Sequence, residues 1–414
     1  MVNPMSKHRL AELAIFGGNP AFAQPLHVGR PNIGDRQVLL KRFNDMLDRR
    51  WLTNSGPLVR EFEKRICEFA GVRNCVAMCN ATIALEIAAR ALGMHGEVIV
   101  PSFTFVATAH AMQWQEITPV FADIDPATHS LDPAAVEKMI TPRTTGIIGV
   151  HVWGNPCAVD ALTEIARRRN LKLMFDAAHA FACSHRGKMI GNFGDAEVYS
   201  FHATKFLNTF EGGAVVTNDD ALAAKIRLMT NFGFAGYDNV IYVGTNGKMC
   251  EPCAAMGLTG LDSVEEFISV NRRNYAAYRD GLADVAGAKL FRYDEAQKCN
   301  LQYVVVELDP ATASLTRNEL VEILFAENVL ARRYFYPGVH HMEPYRSHFP
   351  HSGLLLPETE KLCDRVMILP TGTAVGPDEI AEVCQLIRLA CAHPREVREQ
   401  LAVRAGAAWA KGGT

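Results

Sequence analysis

The run Leu171-Lys172-Leu173-Met174-Phe175-Asp176-Ala177-Ala178-His179 decides how this chain is read. It is a largely apolar stretch that ends on a carboxylate, two small residues and a histidine. A run that does not alternate apolar with polar is the pattern of a strand covered on both faces. A carboxylate at its end is costly to bury without a partner. Downstream stands Ser200-Phe201-His202-Ala203-Thr204-Lys205-Phe206, closed by Glu211-Gly212-Gly213. Lys205 there offers an amine that can form a Schiff base with an aldehyde.

Working outward, short apolar runs alternate with helical stretches from Cys75 to Thr217. The expected strands are Cys75–Met78, Glu97–Val100, Thr118–Ala122, Thr145–Val150, Leu171–Phe175, Glu197–Phe201 and Gly213–Thr217. Helices are expected at Ile83–Leu92, Pro133–Met139 and Val159–Arg168. Such alternation predicts an α/β fold with a mostly parallel, seven-stranded sheet. Ligands in these sheets sit beyond the carboxyl ends of strands, where Asp176 and the Lys205 loop both fall. After Asn218 the pattern changes. Helices are expected at Ala221–Met229, Ala254–Leu261, Val264–Leu282, around Arg317–Glu327 and at Pro377–Cys391, with a strand at Gln302–Leu308. Val264–Leu282 is long enough to join two domains. The division expected is an arm over 1–30, a large domain over 31–262, a smaller α+β domain over 263–395 and a loose Ala- and Gly-rich tail over 396–414.

The chain has 414 residues and a formal net charge of -3, without blocks of like charge. That argues against a nucleic-acid partner. Met1 to Leu10 lacks the apolar stretch of a signal peptide, and no segment reads as a membrane span. A cytoplasmic protein is expected. Its 11 cysteines are scattered beside apolar neighbours, as reduced core thiols would be. Cys250 and Cys253 make one CxxC. Neither a second pair nor a thioredoxin-like helix start accompanies it in the sequence, so no redox or metal role is read there. The histidines and carboxylates show no metal-ligand spacing.

The chemistry converges on pyridoxal phosphate (PLP). Lys205 supplies the amine, and Asp176 can hold a protonated pyridine nitrogen. Asn80-Ala81-Thr82 lies between a strand and a helix, where a capping Asn, bare N–H groups and the Thr82 hydroxyl make an anion site. Ser200 adds a second hydroxyl. Phe105 or Phe103, after the strand Glu97–Val100, can stack on the ring; the physics leaves the two equal. His179 can bond the ring's phenolic oxygen or be an ordinary half-buried histidine, and His202 is a second candidate.

Taken together, Asn80-Ala81-Thr82, Pro101-Ser102-Phe103-Thr104-Phe105, Asp176-Ala177-Ala178-His179, Ser200 through Lys205, Glu211-Gly212-Gly213 and Gly244-Thr245-Asn246-Gly247-Lys248-Met249 resemble the DegT-type nucleotide-sugar aminotransferases, PLP enzymes of fold type I. Trp51-Leu52-Thr53 with Gly56-Pro57, and Leu369-Pro370-Thr371-Gly372, are similar too. The resemblance runs from about Pro31 to about Ile387. It implies that Lys205 carries the cofactor, Asp176 binds its pyridine nitrogen and His179 its phenolic oxygen, and Phe105 rather than Phe103 stacks on it. Ala81, Thr82 and Ser200 would bind its phosphate. Asn246 would reach the phosphate of the other subunit of a homodimer. Thr53 and His340, with His341 as the second choice to His340, would face the substrate. Family members often have Gly at Ala81 and Arg at Lys248, so no role is carried over for Lys248.

Asn231 through Val240, Tyr334-Phe335-Tyr336-Pro337-Gly338 and Met342-Glu343-Pro344-Tyr345 look most like the branch that aminates the 4-keto group of a dTDP-linked 6-deoxy sugar. By the same resemblance glutamate gives the amine, and Lys205 shuttles the proton. Rival readings are a 3-aminotransferase of the family, a PLP-dependent sugar dehydratase and a PLP-binding regulator. The dehydratase would carry a histidine in place of Lys205. The regulator would carry a basic DNA-binding module, which this sequence lacks.

Overall fold

The computed structural model describes residues 6–411. Its centre is a seven-stranded sheet. The strands are β1 (Asn74–Met78), β2 (Glu97–Pro101), β3 (Thr118–Ala122), β4 (Thr144–Val150), β5 (Lys172–Asp176), β6 (Ala196–Ser200) and β7 (Gly213–Thr217). They are ordered β1-β7-β6-β5-β4-β2-β3. All pairings are parallel except those of β7, which runs antiparallel to both β6 and β1. A parallel return needs a crossover, usually a helix. Between Ser200 and Gly213 there is none, so the chain doubles back. The loop that carries Lys205 is therefore held at the edge where β5 and β6 end.

Both faces of this sheet are covered. Val98, Val100, Met174, Val198 and Val215 pack on one side with the helix Ala81–Leu92. Ile99, Ile147, Leu173 and Phe175 pack on the other with the helix Val159–Arg169. The helices Arg36–Arg49, Pro57–Ala70 and Ala107–Gln113 were not expected. The first buries only Leu39 and Met46, too thin a stripe to read. Pro57–Ala70 starts on buried Glu251, whose carboxylate accepts the N–H groups of Leu58 and Val59 at 2.9 Å each. That distant carboxylate does the work of a local cap.

The smaller part is built on a three-stranded antiparallel sheet, β8 (Ala288–Leu290), β9 (Val304–Leu308) and β10 (Val366–Leu369), in that order. The helices Arg317–Ala326 and Pro377–Ala392 pack on it. The helix Val264–Gly281 passes from one core to the other: Val264 and Phe267 lie in the large core, Tyr278 in the small one.

Two expectations concern the ends of the chain, and the looseness of the tail is corrected. The segment read as a loose tail is a helix over Pro394–Lys411, because Val397 and Leu401 find an apolar surface on the small core; residues 412–414 lie outside the described residues. The segment read as an arm packs into the same core through Leu13, Ile15, Ala21, Phe22 and Leu26, and its residues 1–5 also lie outside the description. Glu327, fully buried, fastens it by accepting from the Ala14 and Ala21 amides at 2.6 and 2.7 Å and from Lys7 Nζ at 2.5 Å. Among the described residues no helix is long and apolar enough to cross a membrane.

Candidate active site

One cavity of about 370 Å³ collects Ala81, Thr82, Phe105, Asp176, His179, Ser200 and Lys205. Each comes from the end of an element. Asp176 is the last residue of β5, and Ser200 the last of β6. Ala81 and Thr82 open a helix capped by Asn80, whose side chain accepts the Ile83 N–H at 2.8 Å. The two preceding N–H groups and the Thr82 hydroxyl have no partner among the described residues. Gly213 closes that side tightly: a Cβ there would meet Ala81 N at 2.6 Å. Bare donors at a helix start beside the Ser200 hydroxyl form a cradle for a phosphate.

Asp176 is buried. Its Oδ2 accepts from Thr108 Oγ1 at 2.8 Å, and its Oδ1 from the Ala178 amide at 3.1 Å. Burial raises its proton affinity, against the pull of Thr108, Ala178 and Lys205. No cation lies within 4 Å of it among the described residues, so a pyridinium N–H is the partner this carboxylate calls for. Thr104 in turn bonds Thr108 at 2.9 Å and fixes that hydroxyl.

Burial lowers the Lys205 amine to about 8, although Asp176 pulls it back up. About a tenth of the amine is thus neutral at pH 7, far more than for a solvated lysine, and it is this form that attacks an aldehyde. Burial also holds His179 well below its ordinary value, so its ring is neutral. The Trp153 amide donates to His179 Nδ1 at 3.3 Å, which leaves the proton on Nε2, free to be given to an anionic oxygen. Trp153 adopts φ 64° while fully buried, an outlier for so bulky a side chain. Its ring lies almost parallel to those of His179 and Phe335.

The choice between the two phenylalanines is now physical. Phe103 is fully buried among Trp153, His129 and Phe335, whereas Phe105 is 57% exposed and forms cavity wall. Thr53 and Asn246 are exposed and lie away from the cavity of their own chain. His340 is 2% exposed and does not line the cavity either. Its amide donates to Ser102 Oγ at 3.1 Å and its Nδ1 shares a 2.6 Å bond with the same oxygen, so it ties two loops together. Ligating atoms of His340, His341 and Glu360 lie within 4.8 Å of one another. One Glu360 oxygen bonds both rings, at 2.8 and 2.7 Å, which accounts for the cluster by hydrogen bonding.

Sequence reading missed Arg332 and Tyr303 and gave Tyr334 and Phe335 no role in the site beyond their place in a branch motif; the four form one wall of the cavity. Arg332 lies 5.2 Å from the Tyr334 ring and is in no ion pair among the described residues. The Arg332-Arg333 doublet just before Tyr334 was the available signal.

A carboxylate awaiting a cationic ring nitrogen, a low-pKa lysine and a phosphate cradle, set at the end of a mostly parallel sheet, define a PLP-dependent aminotransferase of fold type I. The chain belongs to the DegT/DnrJ/EryC1/StrS aminotransferase family, whose model matches residues 35–388. It is 36% identical over 369 residues to a dTDP-4-amino-4,6-dideoxy-D-glucose transaminase of Shigella dysenteriae, covering 88% of this chain and 99% of that one. It is 36% identical over 305 residues to a GDP-perosamine synthase of Caulobacter vibrioides, covering 73% and 82%. The solved structure of DesI with its TDP-sugar product superposes with a TM-score of 0.90 at 53% identity, over 95% of this chain and 100% of that one.

Proposed function

We propose that this chain transfers an amino group from glutamate to the 4-keto group of a dTDP-linked 6-deoxy sugar. The observation that carries the chemistry is the convergence of Lys205, Asp176, His179, Ser200 and the Ala81–Thr82 helix start on one cavity. The sugar class is supported by the likeness to DesI and to the Shigella transaminase.

When bound, PLP supplies the electron sink for exchanging an amine and a ketone. The rest belongs to the protein. Ala81, Thr82 and Ser200 hold the phosphate. Asp176 keeps the ring nitrogen protonated, with Thr108 orienting it. His179 donates to the phenolic oxygen, and Phe105 covers the ring. Lys205 Nζ, as a neutral amine, would take the proton from the donor's α-carbon and hold it for return. With the ketone it runs the same transfer in reverse. Arg332 is placed to pair with a donor carboxylate.

Asn246 and Thr53 lie outside their own chain's cavity, which suits a homodimer in which Asn246 reaches the partner's phosphate and Thr53 the substrate. We take the domain boundaries at 30/31, 262/263 and 395/396, and place the reaction in the cytoplasm, where thiols are kept mostly reduced.

Half-reactions test the donor. Adding glutamate to the yellow protein should bleach it with stoichiometric release of 2-oxoglutarate, and a dTDP-4-keto sugar should restore the colour. Bleaching by glutamine or alanine but not by glutamate would overturn the donor assignment.

A further inference from the structure

Cys250-Glu251-Pro252-Cys253 carried no redox signal in sequence, for want of a helix start. The structure supplies one. Cys250 is the N-cap of the eleven-residue helix Glu251–Leu261, and Cys253 sits in its first turn. Their sulfurs are 3.2 Å apart, close enough for one S–H to be shared, and neither residue is fully buried. Pro252 lacks an N–H and suits the first turn. A thiolate at a helix start is favoured by the positive end of the helix.

We propose that Cys250 and Cys253 are a redox-active dithiol, a site of reversible disulfide formation by peroxides or small-molecule disulfides. Cys250 is the attacking sulfur. The shared Cys253 S–H, with the amides of Cys253 and Cys250, lowers its proton affinity, while Cys253 is shifted up by the same bond. Attack of the Cys250 thiolate on hydrogen peroxide breaks the O–O bond, leaves a sulfenic acid on Cys250 and releases hydroxide. Cys253 then displaces the sulfenic oxygen as water and gives up its proton. Two thiols are oxidised to one disulfide, and one peroxide is reduced to two waters. With a disulfide oxidant, two small thiols leave instead. The site adjoins the catalytic cavity, because the backbone of Glu211, a cavity-wall residue, contacts Cys253.

The other cysteines differ. Cys75, Cys363 and Cys384 are buried, and burial raises their thiols. Cys183 and Cys299 also interact, but Cys183 lies in the core.

The test uses the full-length protein with cofactor bound, reduced, freed of reductant and given one equivalent of hydrogen peroxide at pH 7. Free thiols are blocked with light iodoacetamide, and after reduction the rest are labelled with the heavy form. The expected result is heavy label on Cys250 and Cys253 together, about tenfold above any other cysteine. In folded Cys253→Ser, dimedone should trap a sulfenic acid on Cys250. Heavy label spread evenly, or concentrated on Cys183 and Cys299, overturns the proposal. So does a folded Cys253→Ser protein whose Cys250 gives no dimedone adduct.

Discussion

Lys205 and Asp176 each pair an unfavourable burial with a reactive use. Burial favours the neutral amine at Lys205, and it leaves Asp176 without a cation until the cofactor's ring nitrogen arrives. Lys205→Ala should therefore fold, bind PLP weakly and lose multiple turnover, since attachment and proton transfer use the same nitrogen. Sustained transamination by the variant would remove Lys205 from the mechanism. Asp176→Asn should keep its fold and lose about 10²–10³-fold in kcat, because an amide cannot hold a pyridinium; steady-state rates check this. The pH dependence has a defined sign. A protonated Nζ cannot attack an aldehyde, so the rate at which cofactor-free protein captures PLP should rise from pH 7 to 9 with a midpoint at about 8. A midpoint above 10 would mean that the amine is solvated. Both residues were legible because each stands in a short motif just after an apolar strand. That His340 is buried away from the cavity was not legible, because its partners, Ser102 and Glu360, come from distant stretches of the chain. Arg332 was passed over because only folding brings the Arg332–Phe335 segment to the cavity at the end of the large sheet.

Secondary elements with their own stop and start signals were readable to within a residue or two. Thr118–Ala122, Pro133–Met139 and Gly213–Thr217 fall where expected, the helix being bounded by Asp132 and Pro133. Pro57–Ala70 was missed even though Leu58, Phe62 and Ile66 repeat at helical spacing, and the carboxylate that starts it belongs to Glu251. The contact between the start of β7 and the helix Ala81–Leu92 likewise has no local signal, yet it shapes the phosphate cradle. Gly213→Ala should force these elements apart, since its Cβ would lie 2.6 Å from Ala81 N. The expected outcome is about 1–3 kcal/mol of lost stability and weaker PLP binding. Denaturant melts and cofactor titration read both, and unchanged PLP affinity would show that the cradle does not depend on this contact.

For the molecule as a whole, the sheet order and its one antiparallel strand follow from the connections, while the fastening of the N-terminal segment does not. Glu327 pairs with Lys7 from the far end of the sequence, both fully or nearly buried. Removing one member of a buried pair strands the other charge. Glu327→Ala should cost about 3–5 kcal/mol and open the N-terminal segment to limited proteolysis. An unchanged melting curve would mean that the apolar contacts of Leu13 and Ile15 suffice. Composite active sites are tested by mixing Lys205→Ala with a variant crippled at Asn246. Hybrid dimers should regain part of the activity, since one of their sites carries neither lesion. A strictly monomeric active protein would contradict the dimer.

The central claim is that this site aminates carbon 4 of a dTDP-linked 6-deoxy sugar. Its most direct test offers the protein, PLP and glutamate with the 4-keto and 3-keto isomers of the dTDP-6-deoxyglucose series in separate reactions. kcat/KM is compared, and the aminated carbon is located by NMR. The account predicts a clear preference for the 4-keto sugar and nitrogen on carbon 4; preference for the 3-keto isomer, or turnover of a GDP-linked sugar in place of both, would contradict it.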